Sequence, residues 1–337
     1  MTEGPSRAGV TKRATVLDVA ARAGVSRQTV TRAMNDMPGI SLATKQRVVA
    51  AAKELKYRPS RFGRGLVLGH QPTLGLVLDD LTNPYYPELA ASVITTAADR
   101  GWSVVVADSA HSPNGVAAAL KSLVDQVDAV VGYLRVPAGD FDAVFGDLPV
   151  VALESRPEPG QRGVIELDFG PGMRAAVAYL RGRGRQRIAM VDIGGPGLVS
   201  ERDRHYRAAM TELGLEPMVY FAEQSVDGGM DATRAMLAES PGVDAVIAFN
   251  DIVAFGIMKE LARSGIDVPG RCSVLGIDGL AIGRISTPEL SSLALDLGEV
   301  GRLGVEMVIR MHAGSLPPSG PAVQRTVSHS LLLRESA

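Results

Sequence analysis

The chain predicts a small all-α helix-turn-helix head followed by an α/β core of two doubly wound parallel-sheet subdomains. Three observations carry this. Residues 15–35, TVLDVAARAGVSRQTVTRAMN, hold two short amphipathic helical patterns on either side of a glycine. From Thr73 onward, short apolar runs alternate with helical stretches of 10–15 residues, and the alternation restarts near residue 172. That rhythm belongs to parallel α/β sheets. Charge also divides between the two parts. Residues 1–66 contain 13 Lys/Arg and 4 Asp/Glu, a balance of +9, while the remainder holds 22 and 33, a balance of −11. A basic head on an acidic body implies that one segment meets phosphates and the larger part does not.

With 337 residues, two or three domains are expected. The hydrophobic fraction of 46% and charged fraction of 21% are those of a soluble globular chain with substantial cores. No apolar run approaches the roughly 20 residues that a membrane span needs. The N-terminus, MTEGPSRAGVTKRA, lacks the apolar region of a signal peptide, so a cytoplasmic protein with no membrane partner is expected. The single cysteine, Cys272, excludes an internal disulfide framework and a Cys-based zinc site, and its context CSVLGI predicts a buried strand residue.

Residues 1–13 are small, polar and basic, a lead-in expected to be disordered. Thr15 suits an N-cap, with Asp18 in the first turn of helix one. Val16, Leu17, Val19 and Ala20 form its expected apolar side, and Gly24 ends it. Ser26 is placed to cap helix two, where Val30, Ala33 and Met34 face inward. Arg27, Gln28 and Thr31 then face outward, the first two in the opening turn, with Arg32 also exposed. In this geometry that turn enters the DNA major groove. Arg bonds bidentately to guanine, Gln to adenine, and Thr touches a thymine methyl. Ser41 caps a third helix over 43–55 with Val48, Val49, Ala52 and Leu55 as its packing stripe, and Pro59 closes the segment.

Residues 60–71 form a basic linker carrying Arg61, Arg64 and an apolar Leu66. Gly63 and Gly65 each oppose helix by roughly 1 kcal/mol relative to Ala, so the segment is expected to order only on a partner. In the core the expected order is strand TLGLVLDD, helix 86–100, WSVVVADS, helix 113–126, DAVVGYL and PVVALES. Then come helix 172–182, RIAMVDI, helix 202–213, PMVYFAE, helix 229–239, DAVIAFN, helix 251–264 and CSVLGID. Ligands of such sheets bind beyond the carboxyl ends of the strands, and two facing units make the cleft between them the natural site. The strand ends carry Asp79, Asp80, Asn83, Tyr85, Tyr86, Tyr133 and Arg135 in the first unit. In the second they carry Asp192, Asn250, Asp251 and Asp278, with Arg202 after the loop GGPGLVSER. Singly, each suits helix capping or loop solvation. Together they favour a polar small molecule.

Several segments carry a family pattern in order and spacing: the 15–35 stretch followed by KQRVVAAAKELKYRP, then LGLVLDDLTNPYYPELA, AVIAFNDIVAFGIM, VPGRCSVLGID and the TPEL before SSLALD. The chain resembles the lactose-repressor family of bacterial transcription regulators along nearly its whole length. The resemblance implies a homodimer on a pseudo-palindromic operator, a hinge that becomes helical on specific DNA, and Leu66 wedged in the central minor groove. It also implies a periplasmic-binding-protein-type core whose small polar effector, a sugar or sugar-like molecule, alters operator affinity, most often as control of a repressor. The implied boundaries are 14–59 for the head, 60–71 for the hinge and 72–337 for the core. Within the core, about 72–158 plus 293–320 would form the N-subdomain, and about 159–292 plus 321–337 the C-subdomain.

By position, Arg27 and Gln28 match the family's base readers, with Thr31, Arg32 and Asn35 beside them. Thr15, Ser26, Thr29 and Arg61 complete the expected DNA-contacting set. Arg202, Asn250 and Asp278 match effector-binding positions; Asp79, Asn83, Tyr85, Tyr86 and Tyr133 line the first subdomain's side, and Asp296 lies on a crossover. The chain departs from the family at His205, where glycine is usual, at Gly279, where a second aspartate is common, at Gln224-Ser225, where an aromatic often sits, and at hinge Gly63. The first three bear on a plain hexose as effector and not on the architecture. The tail SHSLLLRESA lacks a heptad repeat, against a tail-mediated tetramer.

The leading expectation is therefore an effector-controlled transcription regulator that acts as a repressor, with an activator or dual regulator as the alternative within the family. An enzyme on the same fold is disfavoured: IGGPG at 193–197 lacks GxGxxG spacing, and no GxxxxGK[ST], GxSxG or HExxH occurs. No catalytic residue, metal or cofactor is expected. An exported solute-binding protein shares the core fold but not the basic head.

Overall fold

The computed structural model describes residues 16–34, 39–55, 71–109, 115–137, 140–157, 162–195 and 197–337. The chain forms two compact units, Met1–Pro72 and Thr73–Ala337. In the first, helices α1 (Val16–Ala23), α2 (Arg27–Met34) and α3 (Leu42–Glu54) enclose a core of Val19, Ala20, Ala23, Val30, Ala33, Val48, Ala51 and Ala52. Local signals set each end. Gly24 takes φ +67, and Val25 N–H donates to the Ala20 carbonyl at 3.0 Å, closing α1 with a left-handed glycine. Ser26 Oγ accepts from Thr29 N at 3.1 Å and Ser41 Oγ from Thr44 N at 3.2 Å, so both expected caps form.

Two expected core residues lie outside. Leu17 is 62% and Val49 46% exposed. On α1 the inward positions are 19, 20 and 23, and on α3 they are 48, 51, 52 and 55; at 100° per residue Leu17 and Val49 turn away from those stripes. The expected Thr15 cap, Asn35, Arg61, Gly63 and Leu66 lie outside the described residues.

The second unit holds two six-stranded sheets. Its elements are β1 (Thr73–Leu78), α4 (Tyr85–Asp99), β2 (Ser103–Asp108), α5 (Gly115–Val124), β3 (Ala129–Gly132), α6 (Phe141–Phe145), β4 (Val150–Leu153) and β5 (Gly163–Asp168). They continue with α7 (Gly170–Gly182), β6 (Ile188–Ile193), α8 (Glu201–Glu212), β7 (Met218–Ala222), α9 (Val226–Glu239), β8 (Ala245–Ala248), α10 (Asp251–Arg263) and β9 (Ser273–Asp278). After a short 3₁₀ turn come β10 (Ser291–Ala294), α11 (Leu297–His312), β11 (Gln324–Ser328) and β12 (Ser330–Leu332). The first sheet runs β11-β5-β4-β3-β1-β2, wholly parallel. The second runs β12-β10-β9-β8-β6-β7, parallel except for β12. Central strands such as β1, β3, β8 and β9 are buried throughout, as strands covered on both faces must be.

The subdomain limits differ from those expected. β5 lies in the first sheet, paired in parallel with β4 through Ala152↔Val164, so the chain changes sheets after Asp168 and not near residue 158. The polar stretch after β4 joins two neighbouring strands. β11, expected in the C-subdomain, pairs with β5 through Thr326↔Glu166 and extends the first sheet. The chain thus crosses three times: at Asp168–Phe169, after β10, and at His329 between β11 and β12. Helix α11, which packs on α4, returns the chain to the first sheet. The tail forms antiparallel β12 on the second sheet, and Ser336 Oγ donates to Val274 O at 2.6 Å. Cys272 is buried at the foot of β9, and burial pushes its thiol up to about 12. Among the described residues no helix is long and apolar enough to cross a membrane.

Candidate functional site

The outward face of α2 carries Arg27, Gln28 and Arg32, all exposed, at and just beyond its N-terminal turn. Their neighbours are committed to the helix. The Ser26 hydroxyl is the N-cap and lies 2.9 Å from Thr29 Oγ1, and Thr31 Oγ1 donates to the Arg27 carbonyl at 3.1 Å. Val30 and Ala33 anchor the opposite face. Long polar side chains thus project from a helix whose rotation the core fixes.

In the second unit the strand ends of the two sheets bring a set of polar and aromatic side chains together. From the first sheet, Tyr85 and Tyr86 open α4, with Asn83 Oδ1 accepting from Tyr85 N at 3.1 Å to start the helix. Tyr85, Tyr86 and Tyr133 pack edge to face, with centroids 5.2–6.3 Å apart, and the Tyr85 and Tyr133 hydroxyls lie 2.7 Å from one another. Burial raises all three phenols above their ordinary range, with the charge of Glu154 acting in the same direction, so they remain neutral donors. Asp79 accepts from Arg135 Nε at 3.1 and 3.0 Å, from Tyr86 Oη at 3.3 Å and from Ser109 Oγ at 3.3 Å.

From the second sheet comes Arg202, in the first turn of α8, which is capped by Ser200. Its guanidinium is stacked between two rings, 4.4 Å from the Phe169 centroid and 4.2 Å from that of Phe249. Nη1 lies 3.2 Å from Glu154 Oε1, on the loop after β4 of the other sheet. Nε is buried with no hydrogen-bond partner among the described residues. Burial alone would lower this guanidinium, but the Glu154 and Asp278 carboxylates raise it, so the charge is kept. Asp278, at the end of β9, is buried at φ +116. Burial and then the nearby Asp251 carboxylate push it well above the usual carboxylate range. Asp251 accepts from Leu280 N at 2.7 Å and Ser292 Oγ at 2.6 Å, and burial pushes it up to about 6.

Among the described non-glycine residues, only Arg135, Glu154 and Asp278 take positive φ, at 43°, 49° and 116°. Arg135 and Glu154 follow strands and Asp278 ends one, and all three lie within electrostatic reach of Tyr86, Tyr133 or Arg202. Such backbone strain persists only where surrounding structure imposes it, and it gathers at functional sites.

Not every expected residue joins this set. Asn250 is buried and caps α10, its Oδ1 accepting from Val253 N at 2.9 Å, beside the ring of Phe249. Asp296 is exposed and caps α11, accepting from Glu299 N at 2.8 Å; its carboxylate serves the helix start at a crossover. Glu154, Phe169 and Phe249 join the site without having been expected from the sequence. Glu154 and Phe249 each stand at a strand terminus within the motifs VVALES and AVIAFND, which was the available signal.

The departures have local reasons. The His205 ring packs on Gly170, where an added β-carbon would lie 3.1 Å from Nδ1. Gly279 takes φ +78, and a β-carbon there would lie 2.4 Å from that of Ala294, so no side chain fits without a shift. Ser225 caps α9 by accepting from Gly228 N at 2.9 Å.

A sequence model of the bacterial regulatory proteins of the lacI family matches residues 15–60, and a periplasmic-binding-protein-like domain matches 177–337. The chain is 31% identical over 306 residues to the ribose operon repressor of Escherichia coli K12, covering 88% of this chain and 92% of that protein. The chain belongs to the LacI family. It is a DNA-binding transcription regulator of that family. The regulator GalR of Salmonella typhimurium LT2 is 29% identical over 330 residues, 96% of each chain. Among solved structures, a LacI-family regulator from Arthrobacter sp. FB24 in complex with lactose shares 38% identity at a TM-score of 0.75, covering 79% of this chain and 99% of that one. The lac repressor dimer bound to operator and the anti-inducer ONPF shares 26% identity at a TM-score of 0.75, covering 96% and 99%.

Proposed function

We propose that this LacI-family regulator is a cytoplasmic homodimeric repressor of a pseudo-palindromic operator, controlled by a sugar or sugar-like effector in the cleft between its two sheets. The observation that carries the reading is Arg202. It rises from the second sheet, stacks between Phe169 and Phe249, and pairs with Glu154 of the first. A ligand among these groups and the Tyr85–Tyr133 pair touches both subdomains, so it can bias their relative angle, which is the requirement for coupling to DNA. Aromatic faces, neutral phenols and a buried donor without a partner suit a ring with many hydroxyls.

On the DNA side we assign base reading to Arg27 and Gln28, with Ser26, Thr29, Thr31 and Arg32 at the backbone or groove wall and Thr15, Asn35, Arg61 and Leu66 as flanking contacts. In the cleft we assign Asp79, Tyr85, Tyr86, Tyr133, Arg202 and Asp278 to the effector, and add Glu154 and Phe249. Support for non-enzymatic function is that the named relatives are regulators.

The test pairs operator footprinting with a saccharide screen by thermal shift. A footprint on a palindrome, with log affinity falling steeply against log salt, is expected. Binding without sequence preference would overturn the regulator reading. A ligand at 100 times its Kd raises stability by roughly 2.7 kcal/mol, and Arg202→Ala should abolish that shift.

A further inference from the structure

Arg135 from the first sheet and Arg202 from the second both reach the cleft, and a carboxylate already matches each. Arg135 is held by both oxygens of Asp79, and Arg202 by Glu154. We propose that Glu154, by occupying Arg202, sets the charge class of the effector: the cleft takes a neutral polyhydroxylated ligand and rejects its phosphorylated or uronic-acid counterparts. This rests on the reading of the cleft as a saccharide site.

An anion entering here must either displace Glu154 from Arg202 or sit beside the Glu154 carboxylate. Tyr85, Tyr133, Phe169 and Phe249 are each under a tenth exposed, so little water remains to screen that repulsion. Displacement is resisted as well. Glu154 holds φ +49, which fixes the direction in which its side chain leaves the backbone. A second cross-cleft ion pair joins Arg156 on the same loop to Glu201, beside Arg202 on α8, and so anchors the loop that carries Glu154.

A neutral polyol meets no such opposition. Arg202 Nε offers a buried donor that Glu154 does not use. The Tyr85 and Tyr133 hydroxyls can each donate and accept. Burial also favours the protonated form of Asp278, which makes its carboxyl a donor as well as an acceptor toward hydroxyls.

The test uses the full-length protein and matched panels: glucose, galactose and ribose, the uronates of the two hexoses, the terminal phosphates of all three, and lactose with its oxidised acid lactobionate. Affinities are read by titration calorimetry. In the wild type the neutral member of a binding pair should be about tenfold or more tighter than its anion. Glu154→Gln, which keeps the shape and removes the charge, should narrow that preference by raising anion affinity. An anion that binds the wild type as tightly as its neutral counterpart overturns the charge-class proposal and leaves the saccharide reading intact. An unchanged preference in Glu154→Gln, with its far-ultraviolet circular dichroism intact, overturns the role given to Glu154. If no panel member binds, charged or neutral, the saccharide reading falls and this proposal falls with it.

Discussion

Arg202 Nη1 lies 3.2 Å from Glu154 Oε1, and the two residues belong to different sheets. The pair is a direct bond between the two halves of the core, set between the rings of Phe169 and Phe249. Removing Arg202 takes away both the ion pair and the stacking of the guanidinium on two rings, and leaves Glu154 with 32% of its side chain exposed. Arg202→Ala is therefore expected to cost about 1.5–3 kcal/mol of core stability, the range for hydrogen bonds to charged groups. Glu154→Ala alone and the double variant complete a cycle in urea denaturation. A coupling energy near zero would show that the two side chains do not interact in solution.

Arg27→Ala and Gln28→Ala should each lose about 1–3 kcal/mol of discrimination at one base pair of each half-site. Neither side chain supports the head core, so thermal melting should change little. Binding to a panel of single-base operator variants separates the two positions. Equal weakening on all sequences would reassign the residue to phosphate contact.

Two buried groups give opposite pH dependences. Asp251 is raised to about 6 from an ordinary value near 4, so the folded state holds its proton more tightly than the unfolded chain. Its contribution is fully present below about pH 4 and is lost as pH rises through 6. His329, lowered to about 4 by burial and then by the charge of Arg202, resists protonation in the fold. Its contribution is present above about pH 6.5 and is lost as pH falls toward 4. Between pH 4 and 6.5, Asp251→Asn should make the slope of stability against pH more positive, and His329→Asn should make it more negative. Denaturant midpoints across that window read both signs.

Gly279→Ala should destabilise the core by about 1–3 kcal/mol, since an added methyl meets Ala294 at 2.4 Å on a left-handed backbone. The same change shifts Asp278, so effector affinity should fall as well. Calorimetric melting and titration on one sample measure both. An unaltered affinity would separate Asp278 from the ligand.

The polar groups at the strand ends were legible in the sequence, whereas Glu154, Phe169 and Phe249 were not. Strand ends announce themselves where an apolar run meets polar residues, as at Asp79 and Asp278. Their partners do not. Glu154 and Arg202 are 48 positions apart, and no local pattern marks a glutamate after β4 as the partner of an arginine on α8. Asp296 and Asn83 show the converse: side chains at site-like positions can be taken up by the backbone N–H groups that open a helix.

By itself the sequence determined what depends on neighbours along the chain. The three helices of the head follow from Ser26 and Ser41 as caps, Gly24 as a left-handed stop, and apolar residues at helical spacing. The alternation of strands and helices follows in the same way. Only the tertiary structure decided strand order, because hydrogen bonds between strands join residues distant in sequence. It moved β5 and β11 into the first sheet, turned Leu17 and Val49 outward, and brought Glu154, Phe169 and Phe249 around Arg202. Burial and pairing are properties of the assembled core, and they choose among side chains that look alike in the sequence.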